Sequence, residues 1–414
     1  MRTKTTMRTF VIAALALAIP FANAQTGGPP LTPEQKQAVL SDMDKIITKS
    51  AYVPGVDFSK WPDLVKKHQS KIDEAKDEFA FTMVMNEALQ EFGFSHIVLF
   101  SPQAATARAT HKTVGLGVRI QPEPKGLRVV YVFPGTPADS AGIKPGDLIV
   151  AGDGKPIKAT TDLQGEEGSE VKVTVDRSGK QLNFNIVRKT FSTDIPETLK
   201  WVNKDTAMVT IPTFDNGYKK QRVAEIMVEA SKAKNMIVDL RGNGGGAVNN
   251  LLNFASYFFD PTTPIGTFVN RKIADDYNKE TGKPATDAVA VADWTKEKLH
   301  TSLPHGDYYS GKIVVLINGG TGSASEMMAA ALRENKNAEL IGTKSAGAVL
   351  ASIMWPIKEN FLLQYPLMDY VTIKGLRLEG NGLKPDQEAP NPVIGAEDKA
   401  IAIAQKWFTS ANSD

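Results

Sequence analysis

The 414-residue chain contains no cysteine. That absence excludes disulfides, a thiolate nucleophile and any metal site built on thiolates. An excess of one charge is missing too: 48 Lys and Arg stand against 46 Asp and Glu, a formal net charge of +2. Three of the bases, Arg2, Lys4 and Arg8, fall within the first 24 residues, which hold no acid; beyond them the balance is 45 to 46. Such a balance gives no electrostatic pull towards nucleic acid or an anionic membrane. Long apolar runs are also missing. The best candidate, Phe10–Phe21, covers about twelve residues, short of the roughly 20 that span a bilayer. With the basic residues before it and Ala22-Asn23-Ala24 behind it, residues 1–24 read as a secretion signal cut after Ala24. The expectation is an exported protein, periplasmic or secreted, without a stable membrane anchor once the signal is removed. What is present is globular in kind, with 42% hydrophobic and 23% charged residues. The length suits two to three domains at ~150 residues each.

Texture changes along the chain. Residues 25–31 form a polar Pro/Gly lead-in. Thr32-Pro33-Glu34 offers an N-cap followed by proline at the first helical position, and Val39, Leu40, Met43, Ile46 and Ile47 follow at helical spacing. Trp61–His68 and Asp77–Phe92 read as further helices, so 32–112 is expected to be an N-terminal helical region that includes Ser95-His96. Residues 113–190 carry short β-type runs between Gly and Pro turns and read as one compact β-rich module. From 191 to 410 strands alternate with helices, the pattern of a layered α/β core. Within it, residues 272–308 are polar and crowded with Lys and Asp, and read as an irregular surface excursion.

Two glycine-rich turns could carry chemistry. The apolar strand Ile313–Ile317 runs into Asn318-Gly319-Gly320-Thr321-Gly322-Ser323, and a helix starts at once. A serine at a helix N-terminus has free N–H groups around it that can hold an oxyanion while its hydroxyl attacks a carbonyl. Ser323-Ala324-Ser325-Glu326 also fits a capping box, in which Ser323 is only an N-cap. A phosphate loop fits worse, because the Gly-Lys-Ser/Thr ending is missing. The second turn, Arg241-Gly242-Asn243-Gly244-Gly245-Gly246, follows the strand Met236–Leu240. Its consecutive glycines allow a close backbone approach to a ligand, or they form a plain flexible connection. Two such turns at the ends of core strands suit the walls of one site.

A nucleophilic serine needs a base. His68, His111, His300 and His305 sit in polar surroundings and read as surface residues. His96 differs, because it stands in the apolar run Phe92-Gly93-Phe94-Ser95-His96-Ile97-Val98-Leu99-Phe100. It is either a satisfied, partly buried histidine or the base. No spacing of His, Asp and Glu suggests a metal site, and no cofactor is implied.

Taken together, Asp239-Leu240-Arg241-x-Asn243-x-Gly245-Gly246 and Gly322-Ser323-Ala324-Ser325-Glu326 resemble the tail-specific (C-terminal processing) protease family. Val114-Gly115-Leu116-Gly117-Val118, Pro134-Gly135-Thr136-Pro137-Ala138 and Ala141-Gly142-Ile143-Lys144-Pro145-Gly146-Asp147-Leu148-Ile149 resemble the PDZ domain inserted in those enzymes. The resemblance covers roughly residues 75–390. It implies a layered α/β protease core of ClpP/crotonase-like type, with Ser323 as nucleophile. It also implies an oxyanion hole from Ala324 and the Gly244–Gly245 turn, and a peptide-binding loop at Gly115, Leu116, Gly117 and Val118. The best-known members use a lysine base, but that position holds Ala348, and Lys344 lies four residues earlier. The tricorn-core branch is closer, with a Ser-His pair before the β module and a glutamate near the end. By that resemblance His96 is the base, and Ser95 and Glu379 orient it. In the β module the helix that usually walls the peptide groove is short, confined to Lys158–Leu163.

The reading implied is an exported serine endopeptidase that acts on peptides or unfolded proteins by acyl-enzyme chemistry. Two alternatives stay open at this point: a catalytically inactive peptide-binding scaffold of the same fold, and a serine hydrolase of small esters.

Overall fold

The computed structural model describes residues 29–157, 159–301, 306–392 and 396–410. The secretion signal read at 1–24 and His305 lie outside the described residues.

The central sheet has the strand order Thr198–Asn203, Thr206–Thr210, Asn235–Asp239, Lys312–Ile317, Glu339–Gly342, Gln387–Glu388. The first pair is antiparallel and the remaining pairs are parallel. Parallel strands need helical crossovers, which cover both faces, so central strands become apolar throughout. Asn235–Asp239 is buried at every position. Because side chains alternate between faces, Met236, Val238, Ile313, Val315 and Ile317 pack with Val223, Leu251, Met328 and Leu332 of the helices Lys220–Ala230, Val248–Ala255 and Ala324–Lys336. Ile237, Val314 and Leu316 face the other way, onto Ala400, Ala404 and Phe408 of the helix Lys399–Ser410. Each such aliphatic side chain contributes roughly 1.5–3 kcal/mol by leaving water. Among the described residues no helix is long and apolar enough to cross a membrane.

A second sheet runs Val98–Phe100, Leu362–Val371, Pro264–Asn270, Leu299–His300, with Leu350–Pro356 also paired to Leu362–Val371. The N-terminal helices Pro33–Lys49, Trp61–Lys67 and Glu78–Gln90 pack on it. Met43, Ile47, Trp61, Phe81 and Met85 share one cluster with Leu350, Phe361 and Leu363. The helical region therefore has a core in common with a hairpin more than 250 positions away in sequence, and Val98–Phe100 enters that sheet through Leu362–Gln364.

The β module forms its own sheet, Val118–Glu123, Gly126–Val132, Leu148–Gly152, Glu170–Arg177, Lys180–Val187, around Leu127, Val129, Ile149, Val173 and Val175. Only a 3-10 turn, Thr160–Leu163, occupies the place of the expected groove helix. A two-stranded ribbon, Lys112–Gly115 against Lys189–Ser192, joins the module to the rest.

The excursion at 272–308 departs from the expectation of irregular chain. Arg271–Thr281 and Ala288–Trp294 are helices, capped by the side chains of Asn270 and Asp287. Ile273, Tyr277, Ala288, Val291 and Ala292 bury against Val269 and Val371. The apolar spacing is helical, but it is thin among the Lys and Asp that face solvent.

Candidate active site

The first glycine turn delivers Ser323 to the start of the helix Ala324–Lys336 with φ 51° and ψ −122°. A non-glycine residue rarely adopts positive φ, and holding one there stores ~1–3 kcal/mol of strain that surrounding contacts must offset. Those contacts are present. Ser323 N donates to Ala348 O (2.8 Å) and Glu326 Oε2 (3.2 Å), and Gly322 N donates to Asn243 O (3.0 Å).

Glu326 does more than cap. Its carboxylate is fully buried and also accepts from Ser345 Oγ (2.5 Å), Gly347 N (2.9 Å) and Ala348 N (3.0 Å). Burial raises its pKa, and these donors work against the rise. Glu326 thus ties the 345–348 loop to the serine turn. Glu326→Ala leaves several buried donors unmatched, so it is expected to lower the unfolding free energy by about 3 kcal/mol or more. Urea denaturation measures this, and an unchanged midpoint would show that the loop does not depend on the carboxylate.

His96 is placed by the N-terminal part. Gly93, with φ 78°, ends the run of the helix Glu78–Gln90. Asn86 then brackets Leu99, accepting from its amide (2.8 Å) and donating to its carbonyl (2.9 Å). Between these fixed points His96 takes φ 60°, a second strained residue. Its Nε2 lies 3.1 Å from Ser323 Oγ across 227 positions of sequence. On the other side of the ring, Nδ1 lies 2.6 Å from Ser95 Oγ, and Ser95 Oγ donates to Glu379 Oε2 (2.8 Å). Glu379 is 4% exposed and also accepts from Ser95 N (2.7 Å) and Val349 N (2.7 Å). Burial raises its pKa, against the pull of these three donors.

The direction of the chain follows from the donor inventory. A carboxylate only accepts, so the Ser95 hydroxyl proton points to Glu379. Ser95 Oγ is then free to accept from His96 Nδ1–H, which leaves Nε2 with its lone pair towards Ser323. Burial, followed by the positive charge of Arg108, lowers the His96 pKa to about 4, so the ring is neutral at pH 7 and can accept a proton.

The second glycine turn faces Ser323 directly. Gly245 has φ 96°, and a Cβ there would lie 2.7 Å from Ser323 Cβ and 2.9 Å from Ala324 N, so only glycine lets the two turns meet. Asn243 holds this turn from within: fully buried, it donates through Nδ2 to Ile211 O (2.8 Å) and accepts at Oδ1 from Gly245 N (2.9 Å). The Gly245 amide, read from sequence as an oxyanion donor, is therefore already engaged. The amides of Gly244 and Ala324 have no acceptor among the described residues.

Lys344 is exposed, and Ala348, in the position of the usual lysine, is buried with its carbonyl on Ser323 N. His68 pairs with Glu91 (2.6 Å) and His111 with Asp194 (2.7 Å) rather than with Ser323. At the peptide-loop residues, Gly115 pairs with Lys189 in the ribbon, Leu116 O accepts from Ala138 N (2.8 Å), Gly117 O accepts from Phe133 N (2.9 Å), and Val118 opens the edge strand. Sequence reasoning missed Asn243, the clamping role of Glu326, and Arg108. The last is ion-paired with Asp215 beside the second glycine turn. Nothing in Ala107-Arg108-Ala109 signals it, because its partner lies 107 positions away.

Residues 205–389 match peptidase family S41, and residues 114–187 match the PDZ domain. The α/β region is thus similar to S41 peptidases and the β module to PDZ domains, which bears out the resemblance to tail-specific proteases read from the two glycine turns and the module. Among curated proteins the chain is similar to a probable CtpA-like serine protease of Staphylococcus haemolyticus (strain JCSC1435). The two are 29% identical over 287 residues, covering 67% of this chain and 53% of that protein. The chain therefore spans about half the length of the curated relatives it matches. Among solved structures it shares its fold with the photosystem II D1 C-terminal processing protease, with TM-score 0.54 and 19% identity, over 90% of this chain and 97% of that one. It also resembles the tricorn protease, with TM-score 0.51 and 15% identity, over 91% of this chain and 37% of that one.

Proposed function

We propose that the protein is an exported serine endopeptidase in which Ser323 attacks the scissile carbonyl and His96 is the general base. The observation that carries this reading is the single-direction hydrogen-bond chain Ser323–His96–Ser95–Glu379, with 3.1 Å between Ser323 Oγ and His96 Nε2. His96 takes the serine proton as the tetrahedral intermediate forms and returns it to the leaving amine. Water then hydrolyses the acyl-enzyme by the same route. Ser95 and Glu379 fix the tautomer and steady the imidazolium. The amides of Ala324 and Gly244, which have no acceptor among the described residues, receive the oxyanion, while Asn243 holds the Gly245 amide. Substrates are extended peptides or unfolded segments, met first at the loop Gly115–Val118. Export rests on the residues 1–24. A fluorophosphonate probe tests the nucleophile: wild-type protein should be labelled and Ser323→Ala should not. A panel of peptides and small esters then tests the class, and hydrolysis of esters alone would remove the peptidase reading.

The lowered pKa of His96 has a measurable sign. A base neutral down to about pH 4 keeps kcat/KM flat from neutral pH to about pH 5, where a histidine of pKa ~6.5 would already be protonated. The acid limb is expected near pH 4, and Arg108→Gln, which removes a neighbouring positive charge, should move it upward. In the same window folding is linked to protonation. A histidine whose folded pKa is depressed loses native-state stability as pH falls from ~6.5 towards 4. A limb at ~6.5 that ignores Arg108→Gln would contradict the described environment of His96.

A further inference from the structure

Ten arginines fall within the described residues, and nine of them have acceptors. Six donate to carboxylates and three to main-chain carbonyls. Arg119 is the exception: among the described residues it has neither an ion pair nor a hydrogen bond. It is half-buried, and burial lowers its pKa with no neighbouring carboxylate to offset the effect. A half-buried guanidinium that holds no acceptor keeps its N–H donors open to a ligand that supplies one.

Its position suggests which ligand. Arg119 lies on Val118–Glu123, the edge strand of the PDZ sheet, paired only with Gly126–Val132. From there it crosses to the protease region. Its Nη2 lies 3.9 Å from the point where Gly242 would carry a Cβ, and the Gly242 amide is itself bound to Asn318 Oδ1 (3.0 Å) of the other glycine turn. Gly242 is three residues before Gly245, the residue that touches Ser323. A free strand edge accepts an extended peptide through its main chain, and the anionic groups of an unmodified peptide are carboxylates. A guanidinium binds them with two parallel N–H bonds. Arg108, whose charge acts on His96, is already committed to Asp215.

We propose that Arg119 receives a substrate carboxylate, from an acidic side chain or from the peptide C-terminus, in the seam between the PDZ edge strand and the Gly242 turn. Arg119 thereby sets substrate preference. This rests on the peptidase reading above. It is tested on the full chain with internally quenched peptides in matched pairs: Glu against Gln at each position around the cleaved bond, and a free against an amidated C-terminus. In one arm the wild type should favour the carboxylate about ten- to hundredfold in kcat/KM. In Arg119→Gln that ratio should fall to about one, with Arg119→Lys in between. The arm that responds identifies the source of the carboxylate. The same pairs titrated by fluorescence anisotropy against the Ser323→Ala chain give the preference without turnover. A wild-type ratio near one in both arms, or a ratio unchanged in Arg119→Gln, overturns the assignment. The two readings fail separately. Loss of the Arg119 effect leaves fluorophosphonate labelling of Ser323 intact, while an unlabelled, inactive wild type would defeat the peptidase reading and leave the anisotropy ratio to judge Arg119.

Discussion

Replacing Ser323 by alanine is expected to reduce kcat on an unfolded protein substrate by a factor on the order of 10⁶, and His96→Ala should do the same. In the proposed mechanism the hydroxyl and the ring, 3.1 Å apart, act as one unit: without the ring the hydroxyl proton has no acceptor, and without the hydroxyl the ring has nothing to deprotonate. The double variant should therefore be no slower than either single one. What remains, about 10³–10⁴ above the uncatalysed rate, would come from binding and the oxyanion amides. Steady-state rates of the three variants, with unfolding curves to confirm their fold, decide the matter. If His96→Ala kept wild-type activity the proton acceptor would lie elsewhere, and Lys344 would be the next residue to replace.

Glu379→Gln should cost a factor of about 10²–10⁴ in kcat. Three donors converge on the two oxygens of Glu379, and an amide supplies only one acceptor atom. Turned one way, its NH₂ opposes Ser95 N–H. Turned the other way it opposes Val349 N–H and donates to Ser95 Oγ. The Ser95 proton is then driven towards His96 Nδ1, which places the ring proton on Nε2 and leaves nothing to accept the proton of Ser323. Labelling by the fluorophosphonate should slow in parallel, since it needs the same activated hydroxyl. Wild-type kcat in Glu379→Gln would mean that the carboxylate charge has no part in orienting the ring.

Much of this architecture can be read from local pattern. The apolar runs Met236–Leu240 and Ile313–Ile317 and their glycine turns fall where period and turn chemistry put them, and the PDZ region announces itself through Gly-Leu-Gly and Pro-Gly-Asp. Ser323 and His96 are conspicuous because each sits oddly in its own surroundings, one at an abrupt strand-to-helix turn and the other in an apolar run. What escaped depends on partners remote in sequence. Ser323-x-x-Glu326 is enough to explain Glu326 as a cap; only the folded 345–348 loop reveals the additional donors aimed at it. Asn243 looks like a polar residue in a flexible turn, yet its two ends fix Ile211 and Gly245. The hairpin Leu350–Pro356 with Leu362–Val371, the element shared by the N-terminal helices and the second sheet, was not anticipated. Its burial alternates only in part, and Pro366 within it argues against a strand in isolation.

The ribbon Lys112–Gly115 with Lys189–Ser192 brings the chain into the PDZ domain and out again on neighbouring strands, and Thr193 N still reaches back to His111 O (2.9 Å). Entry and exit side by side make the domain a cassette. A short bridge from His111 to Thr193 would close the gap without spreading the rest of the molecule, so the domain can be exchanged by recombination while Ser323, His96 and Glu379, all encoded outside it, stay in register.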